Sequence, residues 1–189
     1  MAVTFSATQG AAGGVQQSYA LVHAALLEGQ LSHIRDNTIG TYINETAVVL
    51  PFGHVQVYNV AGTVANSATT ISGASHTVLG VNVLTYVHQT ALNGVCRPGV
   101  SESQVLNVAI EGAVAVYVTG AVTPASPVRV LYTAHSGTTG VGKAGQFSHA
   151  FASGETVRLS NARFLSSTTG TGLAILELNG PTFTLTAHS

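Results

Sequence analysis

The feature that most constrains this chain is VLNVAIEGAVAVYVTGAVTPASPVRVLY, residues 105–132, which contains a single acid, Glu111, and a single base, Arg129. Its first half alternates apolar side chains, the pattern of a β-strand with a buried face. The phase of the alternation changes at Glu111-Gly112, which predicts a bulge or a bend between two strands. Prolines at 124 and 127 predict a turn before a further strand, Val128 to Tyr132.

The chain from residue 48 onward is β-like throughout. Short runs of β-branched residues are separated by Gly, Pro, Asn and Ser at a spacing of roughly ten residues, which is typical of sandwiches and barrels. The other predicted strands lie in VVLPFGHVQVYNV, SHTVLGVNVLTYV, ETVRL, AILEL and FTLTA. Helical crossovers between the strands are missing, which argues against a parallel α/β sheet. The expected fold is mainly β, a β-barrel or β-sandwich core with an N-terminal arm containing one short helix.

The N-terminal part of the chain has a different pattern. Residues 15–29 predict a helix, because apolar side chains recur at spacings of three and four and Gly29 can end it. Such a helix needs a groove to lie in, on its own core or on a neighbour. Residues 30–47 show no period and hold several of the few charges, so they form either an extended arm or a plain surface connector. We therefore expect a helix and arm at residues 1–47 and a β-rich core domain at 48–189.

Charge is scarce in this protein. Charged residues make up 7% of the chain, against roughly 25% in typical soluble domains. This indicates that other protein chains cover much of the surface. The net charge is −1 and the six basic residues form no run, so a nucleic-acid partner is not expected. No apolar run reaches the length of a membrane span, so no membrane partner is expected either.

Motifs for chemistry are weak. Residues 137–144 read GTTGVGKA, which resembles a phosphate-binding loop but has Ala144 where a Ser or Thr must hold magnesium. The eight histidines form no closely spaced pair and Cys96 is the single cysteine, so neither a metal site nor a disulfide is expected; a distant pair such as His135 with His149 stays open. Glu111 is either an acid of raised pKa or, more simply, a structural residue at a strand break. We predict no catalytic residue, metal or cofactor, and no enzyme activity.

Several short motifs, in their order along the chain, resemble those of the head decoration, or structural cement, proteins of tailed bacteriophages. They span about residues 30–180 and comprise Leu50–Gly53, the strand Leu79–Val81, the stretch 105–132, Gly145–Ser148, Asn161–Leu165 and Gly172–Leu178. The helix at 15–29 and the loop at 61–74 have no counterpart in this pattern. The resemblance implies a structural virion protein with the major capsid protein as its partner.

What the resemblance implies is a protein that decorates the outside of a capsid and ties capsomers together against the pressure of packaged DNA. It implies a homotrimer, found on the outer capsid surface and, during assembly, in the host cytoplasm. The alternatives are another β-rich virion component, such as a head fibre or tail module, or a polysaccharide-acting hydrolase. We expect the capsid or inter-subunit contacts to come from the helix face and the charged arm, namely Tyr19, Val22, Leu26, Arg35, Asp36, Tyr42 and Glu45.

Overall fold

The computed structural model describes residues 26–32, 37–85, 99–134, 142–180 and 182–186. These ranges contain strands and no helix, and none of their elements is a helix long and apolar enough to span a membrane. The strands are β1 Thr38–Asn44, β2 Leu50–Pro51, β3 Val55–Tyr58, β4 Ser67–Thr70, β5 Val78–Val83, β6 Gly99–Val100, β7 Val105–Val118, β8 Arg129–Leu131, β9 Phe147–Ser148, β10 Thr156–Leu159, β11 Ala162–Phe164, β12 Gly172–Asn179 and β13 Leu185–Thr186. The prediction of a mainly β fold is confirmed.

Five of the strands close into a barrel. Strand β1 pairs with β4, β4 with β3, β3 with β5, β5 with β7, and β7 pairs back with β1. Closure leaves no unpaired edge within this ring, which removes the risk of edge-to-edge association there. The predicted β-barrel is therefore confirmed, and β1 belongs to it although its residues fall in the segment expected to be an arm or a connector.

Strand β7 is the central strand of the sheet. Its burial explains why residues 105–118 carry so little charge. Its first half pairs with β1 and β5, and its second half pairs with β12. Alternate side chains serve different hydrophobic clusters, since Leu106 and Val108 lie in the smaller cluster and Ala109 in the larger one. A strand buried on both faces has almost no place for a charge.

The predicted irregularity at Glu111-Gly112 is a bulge within one continuous strand. Thr38 pairs with Glu111 and Ile39 with Ala109, so Ile110 is the additional residue on β7. Gly112 has φ +121°, and a Cβ there would lie 1.9 Å from Oδ1 of Asn37. The bulge falls where β7 exchanges β1 for β12 as its partner.

Beyond the barrel, the sheet continues through β9, β8, β10 and β13, while β12 carries β11 on its far side. The larger cluster fills the space beneath these strands and includes the buried rings of Phe147 and Phe164. Residues 26–32, here called the strap, run antiparallel beside the second half of β7, with a bridge between Leu31 and Val114. Backbone bonds hold the strap in place, with the N–H of Gly29 donating to O of Ala115 and that of Ser32 donating to O of Ala113, both at 2.8 Å.

The predicted helix at residues 15–29 falls almost wholly outside the described residues. Its described end, residues 26–29, contains a turn in which the N–H of Gln30 donates to O of Leu27 at 2.9 Å. Gly29 has φ +81°, a conformation that suits the stop predicted there. The division of the chain at residue 47 stays a prediction.

Candidate functional site

One end of the barrel carries a group of exposed valines, here called the valine rim. Val60 is 88% exposed and Val48 is 63% exposed. Soluble proteins rarely leave several large apolar side chains in contact with water at one place unless another molecule covers them. The members of the rim are Val48, Val49, Val60, Val64 and Val105.

The strand register brings the rim together. Ile43, near the end of β1, is opposite Ser67 of β4 and Val105 of β7. The connection from β3 to β4, which holds Val60 and Val64, therefore lies at the same end of the barrel as the start of β7. Val48 and Val49 come in the turn after β1, and the side chain of Asn44, the last residue of β1, donates to O of Val48, so they belong to this end as well.

Two polar side chains hold the rim in shape. The carboxylate of Glu45 accepts hydrogen bonds from the N–H of Thr63 at 2.9 Å, from the N–H of Val64 at 3.3 Å and from the hydroxyl of Thr63. The hydroxyl of Thr63, followed by that of Ser67, holds the pKa of Glu45 below its usual value. The buried amide of Asn44 donates to O of Val48 at 2.8 Å and to O of Val100 at 2.9 Å. The two side chains thus fix the loops on which the valines stand.

Only some of the residues expected to make capsid or inter-subunit contacts lie among the described residues. Glu45 accepts hydrogen bonds from the loop that carries two of the rim valines, and Tyr42 is half-buried against the smaller cluster. Leu26 is half-buried at the start of the strap. Tyr19, Val22, Arg35 and Asp36 lie outside the described residues. A contact role for all seven stays a prediction, and the valines of the rim are the residues that the sequence did not single out.

The described part of the chain contains no group of three or more His, Cys, Asp and Glu residues able to hold a metal. Glu111 is exposed and accepts a hydrogen bond from the hydroxyl of Thr38 at 3.2 Å, which fits the structural role expected at a strand break. The hydroxyl oxygen of Ser148 accepts from the N–H of Ala150 at 3.1 Å. Residues 137–141 of the phosphate-loop-like motif, Cys96 and His135 lie outside the described residues.

A pair of titratable groups lies where the strap meets the barrel. Nδ1–H of His54 donates to O of Ala144 at 2.9 Å, and Nε2 lies 3.5 Å from Oε1 of Glu28. Burial lowers the pKa of His54 to about 4, and burial raises the pKa of Glu28 to about 7, against a smaller opposing effect of Lys143. At mildly acidic pH the Glu28 carboxyl is therefore protonated and can donate to Nε2 of a neutral imidazole.

The pair predicts a specific dependence of stability on pH. The raised pKa of Glu28 gives stability that is full below 4.5 and is lost as pH rises through about 7. The lowered pKa of His54 gives stability that is full above 6.5 and is lost as pH falls through about 4. Between about pH 4.5 and 6.5 the folded pair and the unfolded pair each hold one proton, so the two effects cancel.

We expect Glu28→Gln to break this cancellation. In the variant only His54 responds, so the free energy of unfolding should rise from pH 4.5 to 6.5, while the wild-type contribution of the pair stays nearly flat. Chemical denaturation at half-unit steps of pH, with the wild-type curve subtracted, isolates the effect. Parallel pH curves for the two proteins would show that the pKa of Glu28 is not raised in the folded protein.

Comparison with known proteins decides the family. A family model described as "Structural cement protein (E217 gp24/Pam3 gp6)" matches residues 15–179. The chain belongs to the phage structural cement proteins. No curated protein matches the chain significantly. The cement protein is also similar in fold to a chain of "The capsid of Myoviridae Phage XM1", with a TM-score of 0.59 and 14% identity over 87% of this chain and 97% of that one.

The family membership confirms the resemblance read from the motifs and gives this cement protein a structural role in decorating a phage capsid. The match begins at residue 15, so it includes the helix segment that had no counterpart among the motifs.

Proposed function

We propose that the protein binds the outer surface of a phage capsid as a homotrimer and ties neighbouring capsomers together, stabilising the head against the pressure of packaged DNA. The observation that carries the proposal is the family match over residues 15–179. The partners are the major capsid protein and copies of this chain, with no nucleic acid, membrane or cofactor involved and no catalysis. The protein is present in the host cytoplasm during assembly, before it joins the virion.

The valine rim is the surface that we assign to the major capsid protein. Charge makes up 7% of the chain, so long-range electrostatic attraction is weak and short-range apolar contact must supply the affinity. The loops that hold the valines are fixed by Glu45 and Asn44, so little conformational freedom is lost on docking. Many copies on one shell then add weak single contacts into firm binding.

The test is to add purified protein to capsids of the same phage that lack it, and to measure occupancy by electron microscopy. We expect density on the outside of the shell, in clusters of three. A double variant, Val48→Asp with Val60→Asp, should weaken binding by roughly tenfold or more, because charge would enter an apolar contact. Leu165→Asp, at a comparably apolar position that is 37% exposed but outside the rim, is the matched control and should bind normally. Density confined to the tail would support the tail-module alternative and overturn the proposal.

A contribution of the N-terminal segment needs its own test. Strand β1 closes the barrel, so deletion of residues 1–45 would open it, and the deletion must end at residue 25. We expect the shortened protein to unfold at nearly the wild-type denaturant concentration but to occupy capsids less well, as contacts from Tyr19 and Val22 would require. Wild-type occupancy after the deletion would remove the helix from the list of contacts.

A further inference from the structure

Arg129 is the first residue of β8. Its neighbours Val128 and Val130 both belong to the larger cluster, so the side chain of Arg129 lies on the opposite face of the strand. In the register Arg129 is opposite Ser148 of β9 and Arg158 of β10, so these side chains share its face. The connection after β9 folds over this face. It places the ring of Phe151 with its centre 5.3 Å from the guanidinium carbon of Arg129.

Arg129 is a buried arginine whose guanidinium donors are largely unused. The residue is 8% exposed, and both Nε and Nη1 are buried with no hydrogen-bond partner. The ion pair of Glu28 with His54 and that of Glu177 with Arg163 do not involve Arg129. A buried charge with two unused donors is unfavourable for an isolated chain, and the aromatic ring offsets only part of that cost.

The side chains around Arg129 indicate which ligand this site would bind. A guanidinium offers parallel N–H donors that match a carboxylate in two places, and exposed Arg158 adds a second positive charge on the same face. Phe151 is 50% exposed and stands beside the guanidinium. Arginine and phenylalanine are both enriched at the cores of protein interfaces.

We propose that Arg129, Phe151 and Arg158 form a second docking site that receives an aspartate or glutamate side chain of the major capsid protein. The carboxylate reaches the unused N–H groups of Arg129 as the Phe151 ring moves aside. This inference rests on the proposed function and extends it, because a protein that ties two capsomers together must hold both, and the valine rim supplies only one surface.

The test compares Arg129→Met with the wild type in two measurements. Met replaces the buried charge by an apolar chain of similar length, so the melting temperature should stay the same or rise. Affinity for cement-free capsids should fall at least tenfold, and the loss of affinity with added salt should become less steep. Arg163→Met, in which the lost arginine is exposed and paired with Glu177, is the matched control and should bind as the wild type does.

Further outcomes distinguish a failure of the docking site from a failure of the proposed function. If Arg129→Met does not fold, exposed Arg158→Met decides, since it should weaken binding several-fold while Arg163→Met does not. Unchanged affinity of Arg129→Met and Arg158→Met would overturn the docking site but not the proposed function, which fails only if the wild type does not bind capsids. A lower trimer mass with unchanged capsid affinity would also overturn it, because the carboxylate would then come from a second copy of this chain.

Discussion

Gly80→Ala is expected to lower the free energy of unfolding by about 3 kcal/mol or more, a large share of the total stability of a domain. Gly80 lies in β5 with φ +145°, a conformation that side chains rarely adopt. A Cβ at this position would lie 2.1 Å from O of Ala109 and 2.9 Å from its carbonyl carbon. These are backbone atoms of β7, so the clash is relieved only if β5 moves off β7 and the barrel opens.

Two other glycines are controls that separate the effect of the clash from the effect of the backbone conformation. Gly154 has φ +75° with no atom within 4 Å of a built Cβ, so Gly154→Ala tests the backbone conformation alone and should cost about 1 kcal/mol. Gly170 has neither a positive φ nor a neighbour, so Gly170→Ala should change stability by less than about 0.5 kcal/mol. Denaturant unfolding of the three variants should give the order Gly80, Gly154, Gly170. A Gly80 variant as stable as the Gly170 variant would contradict the close packing of β5 on β7.

The sequence predicts strands well where burial is one-sided. In β12 the buried residues Ala174, Leu176 and Leu178 alternate with less buried ones, the pattern from which the strand was read. The bulge near Glu111 was predicted for the same reason, because a change of face along a strand reverses the alternation.

Strand β1 escaped prediction because its sequence, TIGTYIN, carries little apolar alternation and its side chains are mostly exposed or half-buried. Its place in the barrel comes from backbone pairing with β7 and β4, which any sequence can make.

The candidate docking surfaces could not be predicted from the sequence, for a different physical reason. Val48 and Leu50 are two residues apart and both apolar, yet one is 63% exposed and the other is fully buried. Which of them faces water depends on the path of the chain after β1, and no local pattern encodes that path. Arg129 was read as one scattered base among six, since its burial beneath Phe151 results from contacts between β8 and the connection after β9.

Asn44→Leu is the second large effect that we expect, because one buried amide joins three parts of the chain. Its Nδ2 donates to O of Val48 at 2.8 Å and to O of Val100 at 2.9 Å. Its Oδ1 accepts from the N–H of Thr46 at 2.9 Å and from the hydroxyl of the same residue. Leucine has a similar volume but leaves the backbone groups buried without partners, which should cost about 3 kcal/mol in total.

The same substitution should act on function as well as on stability, because Asn44 positions the turn that carries Val48 and Val49. At low temperature, where the variant is still folded, its affinity for cement-free capsids should fall several-fold as the valine rim loses its fixed shape. Asn179→Leu, at the exposed end of β12, is the matched control and should leave both stability and binding nearly unchanged. The rim cannot keep its geometry without this amide. If a destabilised Asn44 variant still bound capsids with wild-type affinity, the valine rim would therefore not be part of the contact surface.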